Sequence, residues 1–492
     1  MPRDPELASS GNESLDHILK GGLPRSAMYL LHGVPGSGKT TLALQFLLEA
    51  ARNGEKTLYV TLSETRAEIS RVAASHGWNL ESIAILELSA MKHLAEPEER
   101  QTMFHSAEME LQEVTAPILA EVGRVKPSIV AVDSLSEIRL LSGDLLRFRR
   151  QILALKQFFA ERQCTLLLLD DMTADTGSHL LESLAHGVVT LEKESPKYGR
   201  TRRRLSIDKL RGVAFREGYH DFRIETGGLV VFPRLVAGEH RGRVRLEPLP
   251  SGLPAVDLLL GGGPDRGTST LFIGPAGVGK SSLATQYCVA AGARGERAAM
   301  FLFDESLDTA LARSASLGMP LKEHLDAGRI FIRPVNPAEL TAGEFSHAVR
   351  SAVTVDGARV IVIDSMNGLM DSVPDEQFMT LHLRELLTYL NQHGAATITV
   401  LTQHGLMGDA TRSPLDVTYL ADNVVLLRYF EARGQIRQSI SVFKKRSGTH
   451  ERTIREFALS ATGLTVGAPL EDFQGVLTGV PTYSGTAGPL LR

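Results

Sequence analysis

The chain has 492 residues, a formal net charge of −4, 22% charged and 43% hydrophobic residues. That length predicts more than one domain, and the composition excludes disordered, collagen-like and disulfide-scaffold classes. The balanced charge excludes a global electrostatic pull toward nucleic acid, and no run reaches the roughly 18 uninterrupted apolar residues of a membrane span. The two cysteines, Cys164 and Cys288, sit in apolar runs and read as buried thiols of a reducing compartment. The opening residues show no apolar signal-peptide core, so a cytoplasmic location with no membrane partner is expected.

Residues 9–22 (SSGNESLDHILKGG) come before the first apolar run and are expected to cap a nucleotide side. The run MYLLH then enters GVPGSGKTT, containing Gly33, Gly36, Ser37, Gly38, Lys39, Thr40 and Thr41, and TLALQFLLEAA leads out. Strand, glycine-rich turn and helix in that order make a specific phosphate-loop signal. Glycines let backbone N–H groups close around phosphate oxygens, the lysine neutralises β/γ charge, and the hydroxyl holds Mg²⁺. Downstream, TLYVTLS brings Ser63 and Glu64 to a strand end, SIVAVDS ends in Asp133, and TLLLLDD follows. GVVTLEK, RRLSIDKL and LVVFP come close together and predict a hairpin extension at one sheet edge. Within it, Arg202, Arg203 and Arg204 read as a solvated edge or subunit contact, ahead of the alternative of a nucleic-acid patch. Strands alternating with helices predict α/β architecture, with a mostly parallel sheet covered on both faces.

A polar, glycine-bearing stretch over residues 236–248 predicts a seam, with domains 1–240 and 241–470 and a flexible Gly/Pro-rich tail at 471–492. The second half repeats the first. GPAGVGKSS contains Gly274, Gly277, Val278, Gly279, Lys280, Ser281 and Ser282, and Lys280 stands 241 positions after Lys39. Asp16 and Asp257 each precede their loop lysine by 23 positions. VIVIDS ends in Asp364, 231 positions after Asp133. FKKRSG (Lys444, Arg446) follows DKLRG (Lys209, Arg211) by 235. Features in the same order at nearly one offset mean two homologous domains rather than a solenoid.

A carboxylate ending a strand faces the crevice where open α/β sheets bind ligands. Asp133 with Thr40, and Asp364 with Ser281, are therefore expected to hold Mg²⁺. Hydrolysis also needs a group to orient or deprotonate water. Glu64, Asp304 and Glu305 are the candidates, and the competing reading is an acid favoured by a helix N-terminus.

Beyond the loops, YVTLSETRAEISRVAASHGWNL, PAELTAGEF, DKLRG, VVLLRYFEARG and IREF resemble the KaiC family, from about Gly11 to Thr465. The resemblance implies two tandem RecA-like phosphate-loop domains and a homo-hexameric double ring, with ATP and Mg²⁺ between neighbouring subunits. It implies that Lys209, Arg211, Lys444 and Arg446 reach the neighbour's phosphates, as arginine fingers do. It also implies serine/threonine autokinase capacity in the C-terminal ring. Two departures stand out. The family's first of two adjacent glutamates is Ser63 in one half and Asp304 in the other. Its Ser–Thr phosphoacceptor pair is Thr418–Tyr419, which leaves Thr418 as the single acceptor. The leading expectation is a ring ATPase with autokinase capacity in signalling or timing. One alternative is a DNA-stimulated ATPase, which calls for a basic loop or added DNA module that the sequence does not offer. The other is a nucleotide-gated scaffold with little turnover, which Ser63 keeps open.

Overall fold

The computed structural model describes residues 6–88, 106–171, 178–239, 242, 244–372, 376–403, 418–432, 434–477 and 482–483. The chain divides into two compact units, Met1–Arg234 and Leu235–Arg492. Each is built on one nine-stranded sheet.

In the first unit the strands run, from one edge to the other, Gly228–Phe232, His220–Glu225, Arg202–Leu210, Gly187–Glu194, Met28–Gly33, Thr165–Asp171, Ile129–Asp133, Thr57–Thr61 and Ala84–Glu87. The last six are parallel, and the first three add an antiparallel extension at the edge. The second unit has the same plan. Its order is Ile330–Pro334, Ala298–Leu302, Val360–Asp364, Ala396–Thr402, Ser269–Gly274, Asn423–Ala432, Gln435–Lys445, Arg455–Ser460 and Gly463–Pro469.

The period-2 alternation of each strand fills two cores. Tyr29 and Leu31 face the helix Lys39–Arg52, whereas Met28 and Leu30 face Phe148, Ile152, Leu155 and Phe159 of the helix Leu145–Glu161. Phe272 packs with the helix Lys280–Ala293, while Leu271 and Ile273 pack on the opposite face. With both faces covered, the central strands must be apolar throughout, which is why they read as continuous runs. Burying those strands at about 25 cal/mol per Å² of apolar surface is the main favourable term of each unit.

Cys164 and Cys288 are buried and free, and burial pushes both thiols well above their ordinary range. Among the described residues no helix is long and apolar enough to cross a membrane.

The Ser9–Gly22 segment, expected on the nucleotide side, lies elsewhere. Gly11 accepts a hydrogen bond from Gln45 at 3.1 Å, and Asn12 donates to the Leu229 carbonyl at 2.5 Å. Gln45 is six residues into the helix that starts at Lys39, so the segment packs roughly 9 Å along its body rather than at its mouth. At the near edge of the expected seam, Leu235 and Ala237 are buried in the second unit's core, and the Ala237 N–H donates to Glu385 at 2.7 Å. Past residue 470, Phe473–Gln474 pairs with Thr482–Tyr483, and Val476 is buried beside Phe430.

Candidate nucleotide sites

Each phosphate-loop sequence joins the C-terminal end of a central parallel strand to the N-terminus of a buried helix. The turn closes at Gly38 (φ 114°) and Gly279 (φ 103°), both in the left-handed region that favours glycine. A side chain at either place would force a neighbour to shift. A Cβ would come to 2.9 Å from Ile224 at Gly38 and 2.8 Å from Phe457 at Gly279. Gly33 and Gly274 end the strands, and Gly36 and Gly277 form the outer turn. Ser37 and Val278 are fully buried, as are nearly all of Thr41 and Ser282.

The two loop lysines have different surroundings. Lys39 donates to the Gly33 carbonyl at 2.6 Å and forms an ion pair with Asp171 at 2.7 Å. Lys280 donates to the Pro275 carbonyl at 2.7 Å, and burial pushes its ammonium down to about 8.

The strand-end carboxylates lie beside the loop hydroxyls, as their positions in the sequence suggest. Thr40 donates to Asp133 Oδ2 at 2.8 Å, and the Tyr59 hydroxyl donates to the same oxygen at 2.6 Å. Burial raises the proton affinity of Asp133, while those two hydrogen bonds act against it. Asp364 is pushed up to about 6 by burial, with the Ser281 hydroxyl opposing. Its Oδ2 is buried without a hydrogen-bond partner among the described residues. A hydroxyl, a carboxylate and an orphaned carboxylate oxygen fit a hard cation that takes oxygen ligands. No group of three or more His, Cys, Asp or Glu is placed to hold a metal ion among the described residues. Such a cation would therefore complete its shell with phosphate oxygens and water, as Mg²⁺ does.

The acids after the second strand also reach this crevice, since the neighbouring parallel strands all end there. One Glu64 oxygen is buried with no hydrogen-bond partner among the described residues. Burial, and then the negative charge of Asp133, raise its proton affinity. The acids of the second unit are engaged. Asp304 accepts a short hydrogen bond from Ser365, and Glu305 pairs with Arg313 at 2.5 Å.

The basic pairs are not brought to their own loops. Lys209 donates to the Glu182 carbonyl at 2.6 Å and Arg211 to the Ser183 carbonyl at 3.1 Å. Lys444 donates to the Ala421 carbonyl at 2.7 Å, and Arg446 pairs with Asp422 at 2.9 Å. The Arg211 N–H bonds the His186 carbonyl, and the His186 N–H bonds Met28, at the start of the loop strand. Arg446, Asp422 and Ser269 repeat the pattern. Five residues of strand, about 17 Å, separate that end from the loop. Thr418 lies at the same end, its carbonyl accepting from Lys444 at 3.2 Å. Residues 404–417, just before it, lie outside the described residues.

Four site neighbours escape the sequence reading: Tyr59 on Asp133, Asp171 on Lys39, Ser365 on Asp304 and Arg313 on Glu305. Asp171 carries a signal, as a second acid ending the apolar run LLLLDD. Ser365 carries one too, in the Asp-Ser ending that VIVIDS shares with SIVAVDS, and the other two have none.

The ATPase family described as KaiC matches residues 8–236 and again 249–471. The chain is 25% identical over 483 residues to the circadian clock protein KaiC3 of Synechocystis sp., spanning 97% of this chain and 95% of that protein. It is also 25% identical over 478 residues to the circadian clock oscillator protein KaiC of Parasynechococcus marenigrum, spanning 96% and 92%. A third relative, KaiC of Parathermosynechococcus lividus, is 25% identical over 480 residues, spanning 96% and 87%. With its two loop-bearing sheets, each matched in turn by the same family, the chain belongs to the KaiC family of ATPases.

Proposed function

We propose that this protein is a ring-forming ATPase that binds Mg-ATP at two sites per subunit, each completed by a neighbouring copy, with single-site autokinase capacity in the second ring. The observation that carries the reading is the distance of Lys209, Arg211, Lys444 and Arg446 from their own loops. Cations at the far end of the sheet serve phosphates only if another copy supplies the loop. Lys39 and Lys280 take the β- and γ-phosphates, while Thr40 with Asp133 and Ser281 with Asp364 hold the ion. Mg²⁺, when bound, neutralises charge on the phosphate oxygens. Glu64 orients and deprotonates water in the first ring, its unpartnered oxygen and raised proton affinity suiting a general base. Asp304 and Glu305 have that role in the second ring, where Thr418 of a neighbour is the acceptor. The relatives' names concern circadian clocks, and a timing or signalling role here is an extension of that likeness.

Titration calorimetry and native mass measurement test the reading together. The wild type should bind two nucleotides per subunit and assemble when an ATP analogue is added. Lys39→Ala and Lys280→Ala should each bind one. Two per subunit in either variant, or a nucleotide-loaded monomer at micromolar concentration, would refute it.

A further inference from the structure

The two sites share a register but not a charge. In the first unit Gly33 stands opposite Asp171 on the strand Thr165–Asp171. In the second unit Gly274 stands opposite Thr402 on the strand Ala396–Thr402. Asp171 and Thr402 therefore occupy one place in the duplicated fold, beside the last residue of the loop strand. The consequence is visible at the lysines. The Asp171 carboxylate is 2.7 Å from the Lys39 ammonium, and the side chains are 27% and 7% exposed. The carboxylate thus reaches inward from the mouth to a lysine that is otherwise enclosed. Among the described residues, Lys280 makes no ion pair and has only the Pro275 carbonyl.

A carboxylate and a phosphate oxygen are alternative charge-assisted acceptors for the same N–H donors. Lys39 has three donors, and the Gly33 and Val34 carbonyls already take two, at 2.6 and 3.3 Å, which leaves Asp171 the third. A phosphate arriving at this loop also brings negative charge to a crevice that holds Asp133 and Glu64. Burial does most to raise the proton affinity of both those acids, and the charge of Asp171 adds to it, so the three carboxylates sense one another. Nucleotide must take the Lys39 ammonium from Asp171 and bring its own negative charge beside the three carboxylates. The second site has no such step.

We propose that Asp171 is an internal anion that competes with nucleotide phosphate for Lys39, so that the N-terminal site binds Mg-nucleotide more weakly than the C-terminal site. Asp171 is a positioning residue in this account, acting through Lys39. The inference rests on the reading of Lys39 and Lys280 as phosphate ligands given above.

The test uses the full chain with one site disabled at a time, titrated with Mg-ADP by calorimetry. Lys280→Ala leaves the N-terminal site, and adding Asp171→Asn should tighten its Kd about ten-fold or more, the worth of one charge-assisted contact. Lys39→Ala leaves the C-terminal site, and adding Thr402→Asp should weaken its Kd by a similar factor. A damaged fold weakens binding, so tightening in the first arm is not explained by misfolding. An unchanged or weaker Kd for Asp171→Asn, or an unchanged Kd for Thr402→Asp, overturns the competition. If the N-terminal site binds nothing with either aspartate or asparagine at 171, the phosphate-ligand reading of Lys39 falls, and the inference with it.

Discussion

Removing the carboxylate at Asp364 should make the nucleotide-free protein more stable while destroying its site. Asp364 is 6% exposed, and burial lifts it from its ordinary 3.8 to about 6. As pH rises, the unfolded chain gives up this proton near 4, whereas the folded chain keeps it until about 6. Stability is therefore lost between those two pH values and stays lost above them. At about 1.4 kcal/mol per pH unit the gap is worth about 3 kcal/mol at neutral pH. Asparagine cannot ionise, so Asp364→Asn removes the penalty and can still accept from Ser281. Part of the gain is offset at Lys280, already lowered to about 8 by burial, because Asp364 is the charge that favours its ionised form. A net stabilisation of about 1–2 kcal/mol remains at pH 7, or roughly 2–8 °C in the affected transition. Scanning calorimetry of the nucleotide-free chain from pH 4 to 8 should show no difference at the acid end and a growing one toward pH 6. Saturating Mg-ATP should reverse the order, since both proteins gain at the N-terminal site but only the wild type gains binding free energy at the C-terminal one, about 2.7 kcal/mol at 100 times Kd. A variant less stable than wild type at pH 7, or a difference that does not change with pH, would show that Asp364 is not a strained, desolvated carboxylate.

The remaining expectations concern chemistry and the loop itself. With the C-terminal site disabled by Lys280→Ala, Glu64→Gln should cut phosphate release about 100-fold, and unaltered release would remove Glu64 from the reaction. Asp304→Asn with Glu305→Gln should abolish phosphoryl transfer in the second ring while leaving nucleotide binding near wild type. Labelled ATP should give phosphothreonine at Thr418 that Thr418→Ala eliminates, and a wild type without label there after long incubation is a plain ATPase. Gly38→Ala meets both a left-handed backbone and Ile224 at 2.9 Å, so it should lower stability by about 1–3 kcal/mol in thermal melts. An unshifted melting temperature would contradict the tight closure of the turn.

Much of this protein is written locally. A phosphate loop is a contiguous strand, turn and helix, so its residues announce themselves in nine positions, and its repetition announces the duplication. Strands buried on both faces must be apolar throughout, which made MYLLH, SIVAVDS and VIVIDS legible, along with the aspartates that end two of them. Pairings across the sheet are not local. Tyr59 meets Asp133 74 positions away, and Ser365 meets Asp304 61 positions away. The Asp171 partner of Lys39 arrives only because parallel pairing sets Gly33 beside it. The Ser9–Gly22 segment was misplaced for the same reason, since its anchor is Gln45 on the body of the helix. The sequence by itself determined where phosphate-type chemistry could sit and how often. Only the tertiary structure decided which acids are free and which are engaged, because ionisation depends on burial and on neighbours that the order of the chain does not bring together.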